Sequence, residues 1–346
     1  MSRYVGTHAF IVLLTLVTCA QTPVRQSPGP DSTASAPRKT SPRADRNKFA
    51  VIINGASGEA VYAKQFEKWT AELTAVLSER LGFAKDRTIL LTEKPANATA
   101  SRATAEEVKR TFASLRSELA ADNVVYIFLI GHGSFDGKEA KFNLVGPDLS
   151  APDYNGLLSL LPTHRIVIFN MASASGEFIK SLSAKGRIII TATRNGQEQN
   201  ATRFPEFFIA ALGATDADAD QDGHISVLEA FAYANRLTAE FYARAGRLAT
   251  EHPLLEDNGD GVGHEKAEGG DGLLARATYL DSLNVEQAAA NVATAKLLCE
   301  RTRLEGEIEQ LIARKSGLPE SEYEAALERL FIELAKVNRA IKQSGS

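Results

Sequence analysis

The sequence NVVYIFLIGHGSFD, residues 123–136, contains a short apolar run that ends abruptly at a histidine between two glycines. The run, 124–130, has the length of a strand rather than a helix and is rich in β-branched and aromatic residues. Because it is apolar on both faces, we expect a central strand of a sheet that is covered on two sides. Functional groups in such sheets lie just beyond the carboxyl ends of the strands, where His132 follows. The alternative is a tight turn that holds a histidine without a functional role.

The segments on either side of this run alternate between short apolar stretches and stretches of helical periodicity. Strands are predicted at 49–53, 88–91, 165–170 and 187–193, and helices at 65–81, 104–119, 152–161 and 178–182. This order predicts an α/β domain, with a mostly parallel sheet covered by helices on both faces and right-handed crossovers. The functional residues are then expected along one edge of the sheet.

Composition sets limits on the class of protein. Hydrophobic residues make up 44% of the chain, charged residues 24%, and the net charge is −4, which is ordinary for a soluble globular protein. No basic stripe is present, so the sequence gives no indication of a nucleic-acid partner. Two cysteines, Cys19 and Cys299, do not make a disulfide framework.

The N-terminus predicts export. Residues 1–20 combine a positive Arg3 with an apolar core, 9–17, that is too short to span a membrane. Two alternatives remain open: simple cleavage of a signal peptide after Ala20, or lipidation of Cys19, since 16–19 resembles the lipobox of bacterial lipoproteins. The mature protein is therefore expected in the periplasm, outside the cell, or anchored by lipid in the envelope. Residues 21–48 are rich in Pro, Ser, Thr and Arg, which predicts a disordered tether.

A second stretch of small residues, MASASG at 171–176, follows the predicted strand 165–170 at the same edge as His132. A strand that ends in His-Gly, followed by a later strand that ends in Glu-Ala-Cys-x-Ser-Gly, is the pattern of the caspase-like peptidase clan and of the legumain family in particular. Over about 49–258 the chain resembles that pattern. The resemblance implies a caspase-like α/β fold and proteolysis of a polypeptide substrate.

The resemblance also implies roles for three residues. His132 matches the catalytic histidine of the family, and Gly133 matches the glycine whose backbone N–H helps to form the oxyanion hole. Ser173 falls on the position of the nucleophilic cysteine. Met171 stands where legumains carry a glutamate that helps to select asparagine, so asparagine specificity is not implied.

The exchange of cysteine for serine changes the chemistry of the site. A thiol is partly ionised near neutral pH, whereas a serine hydroxyl needs a well-oriented general base, usually a histidine held by a carboxylate. Asp136 lies four residues past His132, but its direction cannot be read from the sequence. Ser173 is therefore a hydrolytic nucleophile, an inactive remnant in a pseudo-peptidase, or a small turn residue. Ser175 is a second candidate nucleophile, offset by two positions.

Residues 218–229, DADQDGHISVLE, match the EF-hand pattern D-x-D-x-D-G-x-I-x-x-x-E, which predicts a Ca²⁺ site. The predicted contributions are side-chain oxygens, a backbone carbonyl at the seventh position and a water held at the ninth. Asp218, Asp220, Asp222 and Glu229 are predicted to supply the side-chain oxygens. His224 is predicted to supply the backbone carbonyl, and Ser226 to hold the water. The alternative is a solvated acidic turn. A single loop without a partner EF-hand indicates a structural site rather than a sensor. A second acidic turn, 257–261, is a plain loop or a further metal site.

The C-terminal region, 269–346, predicts a helical hairpin with coiled-coil character. Leucines recur every seven residues at 297, 304 and 311, and after a break at 317–319 apolar residues follow a four-three spacing from 323 to 341. Two alternatives remain open: packing within the chain, or oligomerisation and partner binding. The domain between the tether and this region is predicted at 49–268.

Two functions follow from these observations. One is an exported endopeptidase that uses His132 and Ser173. The other is a calcium-stabilised pseudo-peptidase that binds peptides or a protein partner in the same cleft.

Overall fold

A computed structural model describes residues 44–96, 99–221, 224–281, 297, 300–301, 303–304, 307–308, 311 and 319–344. The predicted export signal, most of the tether, Cys19 and Cys299 lie outside these residues. The strands are β1 (Lys48–Asn54), β2 (Thr88–Thr92), β3 (Ala100–Arg102), β4 (Val124–Ile130), β5 (Gly133–Phe135), β6 (Ala140–Phe142), β7 (Leu149–Ser150), β8 (Ile166–Asn170), β9 (Arg187–Thr191) and β10 (Leu254–Glu256). The helices are α1 (Ala60–Glu79), α2 (Ala105–Glu118), α3 (Ala151–Ser159), α4 (Phe178–Leu182), α5 (Phe204–Ala211), α6 (Val227–Arg244), α7 (Leu273–Ala277) and α8 (Glu320–Ser344).

A seven-stranded sheet forms the centre of the fold, in the order β10-β9-β8-β4-β1-β2-β3. Its strands are parallel except for β10, which pairs antiparallel with β9. The apolar run of the sequence is β4, which pairs with β1 along seven residues and with β8 on its other side. The predicted α/β class with a mostly parallel, helix-covered sheet is confirmed.

The side chains of β4 alternate between two separate cores. Tyr126 and Phe128 pack in a core that includes buried residues of α1, α5 and α6. Val125, Ile127 and Leu129 pack in a second core with buried residues of α2, α3 and α4. All seven residues of β4 are buried, so the strand is covered on both faces as its composition predicts.

The predicted elements agree with the structure best where the apolar pattern is strongest. β4 has its predicted bounds, whereas α1 begins at Ala60, five residues before the predicted start. A small antiparallel sheet, β5-β6-β7, follows His132 and was not predicted from the sequence. Its strands have two or three residues each, which is too short for a period of two to be recognised.

The C-terminal part of the described chain packs on the α/β domain and on itself. Ala275 and Leu280 are fully buried in the same core as α1, so this core extends past residue 268, the predicted boundary. Further on, the predicted apolar residues of the helical region share one cluster, which contains Leu304, Ile308, Leu311, Tyr323 and Leu330. None of the described helices combines the length and the apolar character needed to cross a membrane.

The segment 278–281 is anchored to the first strand through a buried lysine. The Nζ of Lys48 donates a hydrogen bond to the carbonyl of Leu280 at 3.0 Å and another to the carbonyl of Asp281. The Tyr126 hydroxyl donates to the carbonyl of Tyr279 at 2.9 Å. Burial lowers the pKa of Lys48 to about 8, against the smaller opposing effects of Asp45 and Asp281.

This lowered pKa predicts how stability depends on pH. Between pH 8 and about 10.4 the unfolded chain holds the lysine proton while the folded chain has released it, so stability rises with pH in that window. Relative to Lys48→Met, the wild-type protein is expected to gain on the order of 2–3 kcal/mol of unfolding free energy across the window. Urea unfolding at a series of pH values measures this gain.

The control is Lys64→Met, on the exposed surface of α1. It should show the same gain as the wild-type protein. Parallel pH profiles for the wild type and Lys48→Met would contradict the prediction.

Candidate functional site

The structure brings Gly133 and Ser173 into contact at the carboxyl ends of the adjacent strands β4 and β8, and His132 directly precedes Gly133. The backbone N–H of Gly133 lies 3.1 Å from the Oγ of Ser173. A Cβ atom on Gly133 would lie only 2.2 Å from the carbonyl oxygen of Ser173, so this approach of the two loops requires glycine. The sequence-predicted residues therefore meet at the expected edge of the sheet.

The hydroxyl of Ser173 is engaged entirely by the backbone of Gly133. Its Oγ accepts from the Gly133 N–H at 3.1 Å and donates to the Gly133 carbonyl at 3.0 Å, and the residue is only 2% exposed. Within the described part of the chain, no hydrogen bond joins Ser173 to the His132 ring. The Gly133 N–H, which was expected to form an oxyanion hole, thus donates to Ser173 itself. The Ser173 hydroxyl proton, which was expected to move to a base, is bound by the Gly133 carbonyl.

The His132 ring is held by aromatic neighbours on α1. Its centroid lies 4.7 Å from the ring of Tyr62 and 5.1 Å from that of Phe66, both in edge contact. Burial lowers the pKa of His132, while the main-chain carbonyl of Ser57 and the charge of Glu59 oppose the shift. The ring is therefore mainly neutral at neutral pH, which is the form that accepts a proton.

Asp136, the candidate for orienting His132, faces its own turn instead. Its carboxylate accepts from the backbone N–H groups of Lys138 and Glu139 at 2.9 and 2.8 Å. These bonds, that of Glu139 first, lower the pKa of Asp136. Among the residues that the structure describes, no carboxylate hydrogen bonds to the His132 ring, so a Ser-His-acid arrangement is not assembled.

Ser175, the second candidate nucleophile, has a structural contact. It is fully buried, and its Oγ accepts from the N–H groups of Ala192 and Thr193 at 3.0 and 3.2 Å, which ties the loop after β8 to the end of β9. Between the two serines, Ala174 adopts a left-handed conformation with φ of 54° and donates its N–H to the carbonyl of Glu198. This anchored turn fixes the position of Ser173.

Sequence reasoning missed a polar cluster beside this turn. The carboxylate of Glu198 accepts from Arg194 at 3.0 Å and contacts the ring of His252, while its own carbonyl holds Ala174. The four-residue spacing of Arg194 and Glu198 is the one local feature of the sequence that could have indicated their ion pair. The contribution of His252 comes from 54 residues further on and leaves no pattern in the sequence.

Three acids of the calcium loop, as we name residues 218–229, lie close together. The carboxylate oxygens of Asp218, Asp220 and Glu229 all lie within 4.8 Å of one another. Ca²⁺ binds oxygen ligands at about 2.3–2.6 Å, so ligands around one ion are separated by up to about 5 Å, and this donor set fits calcium. Asp222 and Gly223 lie outside the described residues.

The other two predicted contributors to the calcium loop make side-chain contacts of their own. The Oγ of Ser226 donates to Glu229 at 2.8 Å and accepts the Glu229 N–H, which caps α6 rather than reaching outward. The Nδ1 of His224 lies 2.8 Å from a carboxylate oxygen of Asp281. Its backbone carbonyl was the predicted ligand, so the side chain is available for this contact.

The calcium loop pairs with a segment that is not an EF-hand. Ile225 accepts the N–H of Leu280 at 2.9 Å, and Val227 donates to the carbonyl of Thr278 at 2.8 Å, around an antiparallel bridge between Ser226 and residue 279. Ile225 packs against the core below. Segment 278–281 therefore lies where a second EF-hand loop would pair.

The second acidic turn, 257–261, is held by hydrogen bonds to its own chain. Asp257 accepts the N–H groups of Gly272 and Ala275 at 2.8 and 2.7 Å, and Asp260 accepts the N–H of Val262 at 2.8 Å. Burial raises the pKa of Asp257. These contacts favour the plain loop over a metal site.

Comparisons with known proteins give a distant likeness in structure. No family model matches the chain, and no curated protein matches it. The fold is similar to the crystal structure of protein GSU0716 from Geobacter sulfurreducens, with 12% sequence identity and a TM-score of 0.41, covering 62% of this chain and 93% of that chain.

The contacts of Ser175 predict a loss of stability when its hydroxyl is removed. Ser175→Ala removes the acceptor of the buried Thr193 N–H, while the Ala192 N–H keeps its bond to the carbonyl of Asn170. The substitution is expected to cost about 1–3 kcal/mol in urea unfolding. Ser117→Ala, at an exposed site on α2, is the control and should change stability by less than about 0.5 kcal/mol. Equal effects of the two substitutions would rule out a structural role for Ser175.

Proposed function

We propose that this chain is an exported, caspase- and legumain-like peptidase-family protein that binds polypeptide at the carboxyl edge of its sheet without cleaving it. The observation that carries the proposal is the mutual hydrogen bonding of Ser173 and Gly133. These two hydrogen bonds occupy both the hydroxyl proton of Ser173 and the Gly133 N–H, which is the candidate oxyanion donor. The calcium loop belongs to the same proposal as a stabilising element.

The chemistry of serine supports an inactive site. A hydroxyl becomes a nucleophile only when a well-oriented base takes its proton, and the base is usually held by a carboxylate. Here the hydroxyl donates to the Gly133 carbonyl, and the candidate acid Asp136 holds its own turn. The resemblance to a peptidase clan supports polypeptide as the ligand, and the two strand ends supply the edge where it would bind.

Peptide hydrolysis is the second candidate function, favoured by the neutral state of His132 beside Ser173. Rotation of the Ser173 Oγ away from Gly133 would free the hydroxyl and the N–H together. The Oγ would then attack the peptide carbonyl carbon while His132 takes the proton and delivers it to the leaving amine. The N–H groups of Gly133 and Ser173 would hold the oxyanion, and water would release the acyl group.

The two candidate functions predict different cleavage and binding of a diverse peptide library in millimolar calcium. The proteins compared are the wild type, Ser173→Ala, His132→Ala and Ser173→Cys. We expect no cleavage by the wild-type protein, by Ser173→Ala or by His132→Ala, and peptide binding that persists in Ser173→Ala. Ser173→Cys tests the cleft, because a thiol is activated by a neighbouring histidine far more readily than a hydroxyl. Cleavage confined to Ser173→Cys would support a binding cleft that lacks its nucleophile.

Cleavage by the wild type that both alanine substitutions abolish would establish the hydrolase instead. Absence of cleavage and of peptide binding in all four proteins would contradict both candidates. Mass spectrometry of the library reports cleavage, and peptide pull-down on the immobilised protein reports binding.

Calcium is proposed to bind the calcium loop through Asp218, Asp220 and Glu229, together with Asp222. Bound calcium would neutralise the acids and fix the connection between α5 and α6. Single sites of extracellular modules bind calcium with a Kd of about 10⁻⁴–10⁻³ M. At about 10 mM calcium such a site adds roughly 1–3 kcal/mol of stability.

This stabilisation predicts a shift in thermal unfolding. Adding 10 mM calcium to the chelated wild-type protein is expected to raise the Tm by about 3–8 °C. Glu229→Gln should lose most of this shift, because the substitution removes the charge of a carboxylate predicted to bind the ion. Glu265→Gln, at an exposed acid outside the loop, should keep the full shift. An unchanged wild-type Tm over a wide range of calcium would exclude the site.

A further inference from the structure

One cation of the C-terminal helical region, as we name the described part of 297–344, reaches the calcium loop. The Nη2 of Arg301 lies 3.9 Å from the Oδ2 of Asp220, and the Arg301 side chain is only 4% exposed. Its guanidinium also lies 5.2 Å from the centroid of the Tyr279 ring. Tyr279 belongs to the segment that pairs with the calcium loop. Arg301 therefore contacts a predicted ligand of calcium and the strand that supports the loop.

Burial makes the charge of Asp220 important to Arg301. A guanidinium removed from water is stable only near a compensating negative charge or strong acceptors. Asp220 is itself 40% exposed in its side chain, and its carboxylate lies both 3.9 Å from Arg301 and within 4.8 Å of the carboxylates of Asp218 and Glu229. A carboxylate that binds calcium has its charge largely cancelled, and the ion adds two positive charges beside the guanidinium.

We propose that Arg301 and calcium compete for Asp220, so that calcium in the loop weakens the docking of the C-terminal helical region. The inference rests on the calcium site of the proposed function and adds a regulatory consequence. Coupling between two binding events is reciprocal. Calcium loosens Arg301 from the loop, and the docked Arg301 lowers the affinity of the loop for calcium by the same factor.

The packing around the contact fits an interface that can separate. A cavity of about 590 Å³ lies between the calcium loop, α6 and α8, and its lining includes Asp220, Glu229, Arg301, Phe331 and Leu334. The cavity leaves part of the α8 surface that faces the calcium loop without close packing. Phe331 is already 51% exposed, so displacement of α8 would enlarge an existing apolar surface rather than open a closed core.

Calcium titration by isothermal calorimetry tests the competition on the full mature chain. Arg301→Gln is expected to bind calcium about 5-fold more tightly than the wild type or better, which is the lower range of typical coupling factors. Arg301→Lys keeps the positive charge and should stay within about 2-fold of the wild type. Arg303→Gln is the matched control, because Arg303 is exposed on the same region and pairs with Glu300 and Glu307.

Limited chymotrypsin digestion gives a second readout that needs no substitution of Arg301. Calcium should accelerate cleavage in the C-terminal helical region of the wild type, which contains Tyr323 and Phe331, by several-fold. Glu229→Gln, which lacks a calcium-binding carboxylate, should show no acceleration. This control also removes any effect of calcium on the protease itself.

The outcomes separate the inference from the function on which it rests. Equal or weaker calcium binding by Arg301→Gln, or slower wild-type digestion in calcium, would overturn the competition while leaving the calcium site intact. Absence of calcium binding by all four proteins would overturn the site and the competition together. Tighter binding by Arg301→Gln alone, with calcium-accelerated digestion, would support the competition.

Discussion

Burial of β4 on both faces is the constraint on which the rest of the structure depends. Seven consecutive apolar residues leave no side of the strand for water, so helices must cover the sheet above and below. Parallel neighbours require crossover connections, and those connections supply the covering helices. The same parallel arrangement brings the ends of β4 and β8 to one edge, which is why Gly133 and Ser173 meet although 40 residues separate them in the sequence.

The meeting of the two strand ends also bears on the proposed function, because serine occupies the position that the caspase-like pattern gives to cysteine. Gly133 lets the loops approach until a side-chain atom at residue 173 touches its N–H and its carbonyl. A hydroxyl both donates and accepts strong hydrogen bonds, whereas a thiol does each weakly. Serine therefore forms a stable pair with the same backbone groups that a cysteine would leave for a substrate. The close approach that suits a thiol nucleophile holds a hydroxyl in place.

The sequence predicted what depends on local periodicity and failed where distant segments meet. The bounds of β4 and the helical character of α1 and α2 follow from apolar spacing within each segment. The pairing of Ile225 with Leu280 and the contact of Glu198 with His252 join residues more than 50 positions apart, and no local pattern encodes them. The role of Ser175 was hidden for a similar reason, because its Oγ acts on the end of β9. Asp136 shows the converse, since its hydrogen bonds to Lys138 and Glu139 within its own turn decide the direction of its carboxylate.

The position of segment 278–281 argues that calcium at the proposed site would act on the C-terminal region and on stability rather than on the candidate site of His132, Gly133 and Ser173. The segment is held from the sheet side by Lys48, the first residue of β1, while His132 follows the opposite, carboxyl end of β4. From the other side it is held by His224 and Ile225 of the calcium loop, and Arg301 lies over its Tyr279. Changes in the loop therefore reach Arg301 through direct contacts, whereas reaching His132 would require movement along the length of a strand buried on both faces. Such a strand is among the least deformable parts of a packed domain. Calcium in the loop is therefore expected to leave the geometry of His132, Gly133 and Ser173 unchanged.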